Sequence, residues 1–190
     1  METTEKSLTT TTLVAQHLNL KDENGDILEP EVLKLIVNQV SGLIERYCNR
    51  SFLHASYTED IYDTDIVQVH ALPIDRSVPV QIADEEGNFG KYTGSIEHSQ
   101  AGIVKVNKKV DVGRIVYTGG YRIDFSHPND ETLHTLPFEI TGLATQLSAR
   151  VYEKRFSEGK SNESVEGQSI SWSQFLTSED KALLDTYLVY

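Results

Sequence analysis

The chain holds one cysteine, Cys48, in 190 residues. That excludes an internal disulfide and fits a reducing compartment such as the cytosol. No apolar run approaches the roughly 20 residues that a membrane-spanning helix needs. The opening Met1-Glu2-Thr3-Thr4-Glu5-Lys6 is polar and acidic, unlike a secretion signal. Basic residues are few: 17 Lys and Arg stand against 29 Asp and Glu, for a net charge of −12. A generic nucleic-acid coat is therefore disfavoured, because phosphate binding needs a basic face. The deficit is uneven, at −7 over 1–65, −1 over 66–156 and −4 over 157–190. Acidic ends favour solubility, or a surface that repels DNA or meets a basic partner.

The motifs of catalysis are missing as well. There is no G-x-x-x-x-G-K-[ST] phosphate loop, no G-x-G-x-x-G, no H-E-x-x-H and no nucleophile elbow. Asp22, Asn24 and Asp26 have the first spacings of a calcium loop. Ile27 stands where that loop needs glycine, and Leu33 where it needs a bidentate glutamate. Asp60, Asp63 and Asp65 could hold a hard cation, but alternating polar residues on a strand edge account for them better. His17, His54, His70, His98, His127 and His134 are scattered, without an i,i+4 pair. His127 and His134 share one loop and could share a metal, though isolated surface histidines are the simpler reading. Cys48 lies at the edge of an apolar stripe, where a buried structural thiol is expected rather than a nucleophile.

With 38% hydrophobic residues, nine Tyr and six Phe, the chain can build a core. The expected class is α+β: a mainly helical core of about four helices with a small antiparallel β-sheet inserted. A single domain is expected over 1–190, with the helical core at 8–56 and 137–190, the β region at 57–121 and a connecting loop at 122–136. Leu8–Asn19 carries Leu13, Val14, His17 and Leu18 at helical spacing after a threonine run that offers N-caps. Pro30 suits the first turn of a helix over Glu31–Phe52, whose stripe is Leu33, Ile36, Val37, Val40, Leu43, Ile44, Tyr47 and Cys48. Ile66–Leu72, Val78–Ala83, Ile103–Val106 and Val112–Thr118 read as strands, with Glu86-Gly87-Asn88 as a hairpin turn. A third helix after Pro137 has Ile140, Leu143, Ala144, Leu147 and Val151 on one stripe. Residues 157–169 read as a mobile loop and Ile170–Phe175 as a short strand. Thr177 or Ser178 caps a last helix with Ala182, Leu183, Leu184 and Tyr187.

Two helix backs suggest assembly. From Phe138 to Ala149 the only charge is Glu139, and Phe138, Gly142, Thr145, Gln146 and Ala149 stand opposite the apolar stripe. Solvated helix faces normally carry Lys and Glu, and interface cores are depleted in charge. The second helix has a milder version in Leu35, Gln39, Gly42 and Arg46. Both strips fit either the centre of one bundle or a contact between subunits, which closes into a ring when the rotation permits. The apolar end Tyr187-Leu188-Val189-Tyr190 should dock, on its own core or on a partner. Lys105, Lys108 and Lys109, with Arg114 beyond, form the only basic patch. It is either a solvated hairpin tip or a weak contact to phosphate or an acidic partner, multiplied in a ring.

The order and wording of these elements resemble the head–tail connector (adaptor, or head-completion) proteins of tailed bacteriophages. The matches are the early helix with Leu13–Leu18 and its acidic turn, and Leu33–Phe52 with its stop Ile44-Glu45-Arg46-Tyr47-Cys48-Asn49-Arg50. Next come Val116-Tyr117-Thr118-Gly119-Gly120-Tyr121, leading to Leu136-Pro137 and a helix with Ala144, Leu147, Tyr152 and Arg155. A Gly/Ser loop, Ser169–Phe175 and the helix with Leu183, Leu184 and Tyr187 complete the series. The region 57–121 is longer than in compact members, and the third helix has fewer alanines. The resemblance implies a non-catalytic structural protein of the virion, made in the host cytoplasm, without cofactor, metal or membrane. It implies a homo-oligomeric ring, typically dodecameric, beneath the portal protein, and a platform for the next neck or tail component. DNA would pass through the channel without specific binding. The loop 157–169 and Tyr187, Leu188, Val189 and Tyr190 are the candidates for portal contact. The alternatives are another neck or tail-completion protein, a metal-dependent hydrolase using Asp60, Asp63, Asp65 and a histidine, and a small monomeric binding module.

Overall fold

A computed structural model of the chain describes residues 7–158 and 175–189. The fold is α+β, with four helices and a four-stranded antiparallel sheet among the described residues. By its internal contacts the chain divides into two compact units. Unit 1 comprises residues 1–49 and 137–190, and unit 2 residues 50–136.

Unit 1 holds the helices α1 (Thr11–Leu18), α2 (Pro30–Cys48), α3 (Phe138–Glu158) and α4 (Ser178–Asp185). Thr10 caps α1 by accepting from the Leu13 N–H at 3.1 Å. Pro30 opens α2, and Asn49 closes it in the left-handed region, at φ 49°. The helix therefore stops at Cys48, four residues short of the Phe52 expected from the sequence. Most of each stripe is buried: Leu33, Ile36, Val37, Val40, Ile44 and Cys48 on α2, and Ile140, Leu143, Ala144 and Leu147 on α3. Leu43, Tyr47 and Val151 are half-buried, and Tyr152 is buried beside the α3 stripe. These faces pack α2 against α3, with α1 on both and α4 on α2.

The start of α2 is tied to the far end of α3. Glu29 precedes Pro30 at φ 51°. Its carboxylate accepts from the Tyr152 hydroxyl and the Arg155 guanidinium. Those hydrogen bonds, Tyr152 first, hold the carboxyl below its ordinary value.

Asp180 does two jobs in α4. It completes a capping box with Thr177 and pairs with Arg150 of α3. Burial raises its pKa, but hydrogen bonds from Arg150 and Thr177 outweigh that and lower it. A lowered folded pKa means the contribution is full above the ordinary carboxylate value near 3.8 and is lost as pH falls through the folded value. Asp180→Ala is expected to cost about 2–3 kcal/mol, for a lost cap and a charge-assisted bond. It should also flatten the acid limb of the unfolding curve, which thermal melts between pH 2 and 7 would record.

Unit 2 is built on the strands β1 (Ala55–Gln68), β2 (Gln81–Asp84), β3 (Gly94–His98) and β4 (Ile103–Gly119). β4 is central. β1 pairs with it from Ala55↔Gly119 to Gln68↔Ile103, while β2 and β3 pair with it at 113–116 and 103–106. The turn after β2 forms as expected, the Gly87 N–H donating to Asp84 O at 2.9 Å. The strand readings need correction. Ile103–Val106 and Val112–Thr118 are one strand, β1 runs from Ala55 to Gln68 rather than from Ile66 to Leu72, β2 begins at Gln81 rather than Val78, and β3 was not expected. Arg50 anchors the start of the unit: its guanidinium donates to Leu72 O and lies 4.7 Å from the Phe52 ring centroid and 5.5 Å from that of Tyr121.

Inside the sheet, the Tyr117 hydroxyl donates to Glu59 and accepts from the Ala71 N–H at 2.8 Å. His70 Nδ1 meets the other Glu59 oxygen at 2.8 Å. Burial, then the Glu59 carboxylate, raises the pKa of the Tyr117 phenol.

Candidate assembly interface

On α2, the positions from Leu35 to Arg46 that lie fully outward are Leu35, Asn38, Gln39, Gly42 and Arg46. All four residues singled out on this helix are thus exposed, and Leu35 is 58% exposed. A Cβ added at Gly42 would meet nothing within 4 Å. Arg46 is the only charge in the set, and among the described residues it forms no ion pair.

The back of α3 divides. Phe138 is 67% exposed, Gln146 is exposed, and Gly142 is half-buried with open space at its Cβ position. Thr145 turns inward. Its hydroxyl donates to Thr141 O at 2.8 Å and lies 2.6 Å from that of Thr9, just before α1. Ala149 is 3% exposed and belongs to the core of unit 1. It is therefore removed from the candidate contact surface, and Thr145 is at most its edge. The chain's own α1 segment takes that side of α3. The outward stripe is rotated toward Glu139 and Glu153, both exposed. Glu153 lies beyond the charge-poor run that ends at Ala149, so that run gives no signal for it. At 100° per residue, 139, 142, 146 and 153 share one face.

The C-terminal segment docks largely on its own unit. Val189 is buried, its N–H donating to Cys48 O at 3.0 Å and its carbonyl accepting from Asn49 Nδ2 at 3.1 Å. Val189 is thus covered by its own unit in the isolated chain. Leu188 is half-buried, as is Tyr187, whose hydroxyl donates to Glu139 Oε1 at 2.6 Å. Cys48 is a buried thiol directed at Leu184 O, at 3.7 Å. Tyr190, the candidate loop from residue 159 on and the candidate strand before Phe175 lie outside the described residues; 157 and 158 belong to α3.

Lys105, Lys108 and Lys109 are exposed on β4, within the sheet and not at a hairpin tip. The register passes from Thr64↔Val110 to Ile66↔Lys105, so residues 106–109 bulge opposite Asp65 alone. Lys109 pairs with Asp63, while Lys108 and Lys91 each lie 5.2 Å from the Tyr92 ring centroid. Sequence spacing gave no signal for Lys91, which β3 and the bulge bring alongside. The hydrogen bond with Tyr92 raises the Lys91 pKa.

The candidate metal ligands do not gather. Asp60 faces Arg114 across the sheet and Asp63 is taken by Lys109. His134 is buried beside Phe125, with Nδ1 accepting from the Asp124 N–H at 3.1 Å. His127 pairs with Asp124 at 3.0 Å. Asp22 spends one oxygen on the N–H groups of Asn24 and Asp26, which makes a turn rather than a calcium loop. Among the described residues, no group of three or more His, Cys, Asp or Glu could hold a metal ion. No described helix is long and apolar enough to cross a membrane.

No protein-family model and no curated protein sequence matches the chain. Solved structures do. A chain in the neck of an empty gene transfer agent (GTA) particle, computed with C6 symmetry, aligns over 100% of this chain and 93% of its own. The TM-score is 0.63 and the identity 12%. Chains from the neck of the native GTA particle, computed with C12 symmetry, and from the native GTA virion align over the same shares. Their TM-scores are 0.58 and 0.59, each at 12% identity. The likeness extends over both units and establishes a shared fold.

Proposed function

We propose that this chain is a structural neck protein of a phage-like particle, a head–tail adaptor that assembles as a homo-oligomeric ring beneath the portal. The observation that carries this is the full-length fold match to chains of GTA necks, one computed with C6 and another with C12 symmetry. The exposed Leu35 and Phe138 support it, since large apolar side chains on a helix back fit contact better than solvation. The ring, a dodecamer in this reading, extends the DNA channel and offers a platform to the next neck or tail component. An acidic protein suits a channel that DNA must leave freely, because phosphate affinity comes from Lys and Arg. Tyr187, Leu188 and Tyr190 remain the candidates for portal contact, and Lys105, Lys108 and Lys109 for a weak contact with DNA or an acidic partner. Electron microscopy of the full chain mixed with its cognate portal tests the reading. Ring density added beneath the portal is expected; its absence at saturating chain overturns the proposal.

A further inference from the structure

A ring of more than two copies cannot be built from one self-complementary patch. Cyclic symmetry needs two different surfaces on each subunit, each meeting the other on the next copy. Unit 1 offers such a pair. α2 and α3 bury their apolar stripes against each other, so their outward strips lie on opposite sides of that helix pair. The strip on α2 is Leu35, Asn38, Gln39, Gly42 and Arg46, whose only charge is positive. Among the described side chains of α3 the exposed ones are Phe138, Glu139, Gln146, Glu153 and Lys154. On the face that Gly142 shares with 139, 146 and 153 the charges are Glu139 and Glu153, both negative. Each strip has one large exposed apolar side chain, Leu35 or Phe138. Each also has one glycine with no atom within 4 Å of its Cβ position, where a neighbouring helix could come close. The Tyr187 hydroxyl steadies the Glu139 carboxylate from the same unit.

We infer that the α2 strip of one copy seats on the α3 strip of the next, with Arg46 meeting an α3 carboxylate. This rests on the ring proposed above and names the surfaces that close it. Like-on-like pairing of either strip would set charges of one sign together, which disfavours a two-fold dimer through these faces. The partner is a second copy of this chain, because the complementary strip is already present on it.

The test is charge reversal, read as ring density on the cognate portal by electron microscopy, with wild type alongside. Arg46→Glu changes an exposed side chain, so its melting temperature should match wild type while the ring is lost. Combining it with Glu139→Arg or with Glu153→Arg should restore the ring in one case. Rescue by Glu139→Arg sets the two helices antiparallel across the contact, and rescue by Glu153→Arg sets them parallel. If Arg46→Glu assembles normally, or neither second change rescues it, the pairing is wrong although the ring stands. If wild type adds no ring, the adaptor reading falls and the pairing with it.

Discussion

Gly142→Glu is expected to abolish ring assembly while leaving a folded chain, and Ala149→Glu is expected to unfold unit 1. The two positions share the back of α3 in the sequence, and the structure separates them. Gly142 is half-buried with open space at its Cβ position, so a glutamate can start outward there without displacing a neighbour. Removing a glycine from a helix interior even adds roughly 0.5–1 kcal/mol of helix preference. In a ring the same carboxylate would be driven into a close helix contact beside Glu139 and Glu153, desolvated and among like charges. Ala149 is buried within its own unit, where an unpaired charge costs roughly 3–5 kcal/mol. Thermal melts of both variants, with electron microscopy on the portal, check the contrast. A Gly142→Glu chain that still forms rings would show that α3 faces no neighbour.

The helices were legible because each carries a signal that survives without context. Thr10, Pro30 and Thr177 mark starts, and most of the expected stripe positions of α2 and α3 are buried. The stop at Asn49 was not legible, since the apolar spacing runs on to Phe52. The sheet was less legible, because polar residues occupy positions that the alternation reserves for apolar ones. Glu59 lies on the inner face of β1, satisfied by Tyr117 and His70, and it masks the period that runs through Tyr57 and Ile61. Asn107-Lys108-Lys109 reads as a turn, yet the chain continues through it. The Asn107 side chain accepts from the Thr93 N–H at 3.1 Å, and the Asn107 N–H donates to Thr93 O at 3.0 Å. Such partners come from distant sequence, and no local pattern announces them. The candidate interface was half legible for a related reason. An uncharged helix back signals burial, but not whether the cover is α1 or another copy. Thr145 went to the segment before α1 and Ala149 is buried within unit 1, whereas Leu35, Gly42 and Phe138 stay outward.

Gly120→Ala is expected to cost unit 2 roughly 3–5 kcal/mol, the sum of backbone strain and forced repacking. The residue sits at φ 96°, where side chains are rarely tolerated, and a Cβ there would lie 2.2 Å from Leu53 O. Its neighbour Gly119 is as confined, with its Cβ position 2.1 Å from Ala71 O. Three segments cross at this point. The Gly120 N–H donates to Pro73 O at 2.9 Å, and the Tyr121 N–H to Phe52 O at 2.6 Å. The Tyr-Thr-Gly-Gly-Tyr wording is thus explained by packing: two glycines let the end of β4 pass between the backbones of 52–53 and 71–73. No relief is available, because the obstructing atoms are main-chain carbonyls held in their own hydrogen bonds. Hydrogen exchange should show amides of β1 and β4 losing protection in Gly120→Ala, while α2 and α3 keep theirs. Gly42→Ala is the control, expected to be neutral or slightly stabilising on its open helix face. A Gly120→Ala chain as stable as wild type would mean that the three segments do not cross so tightly.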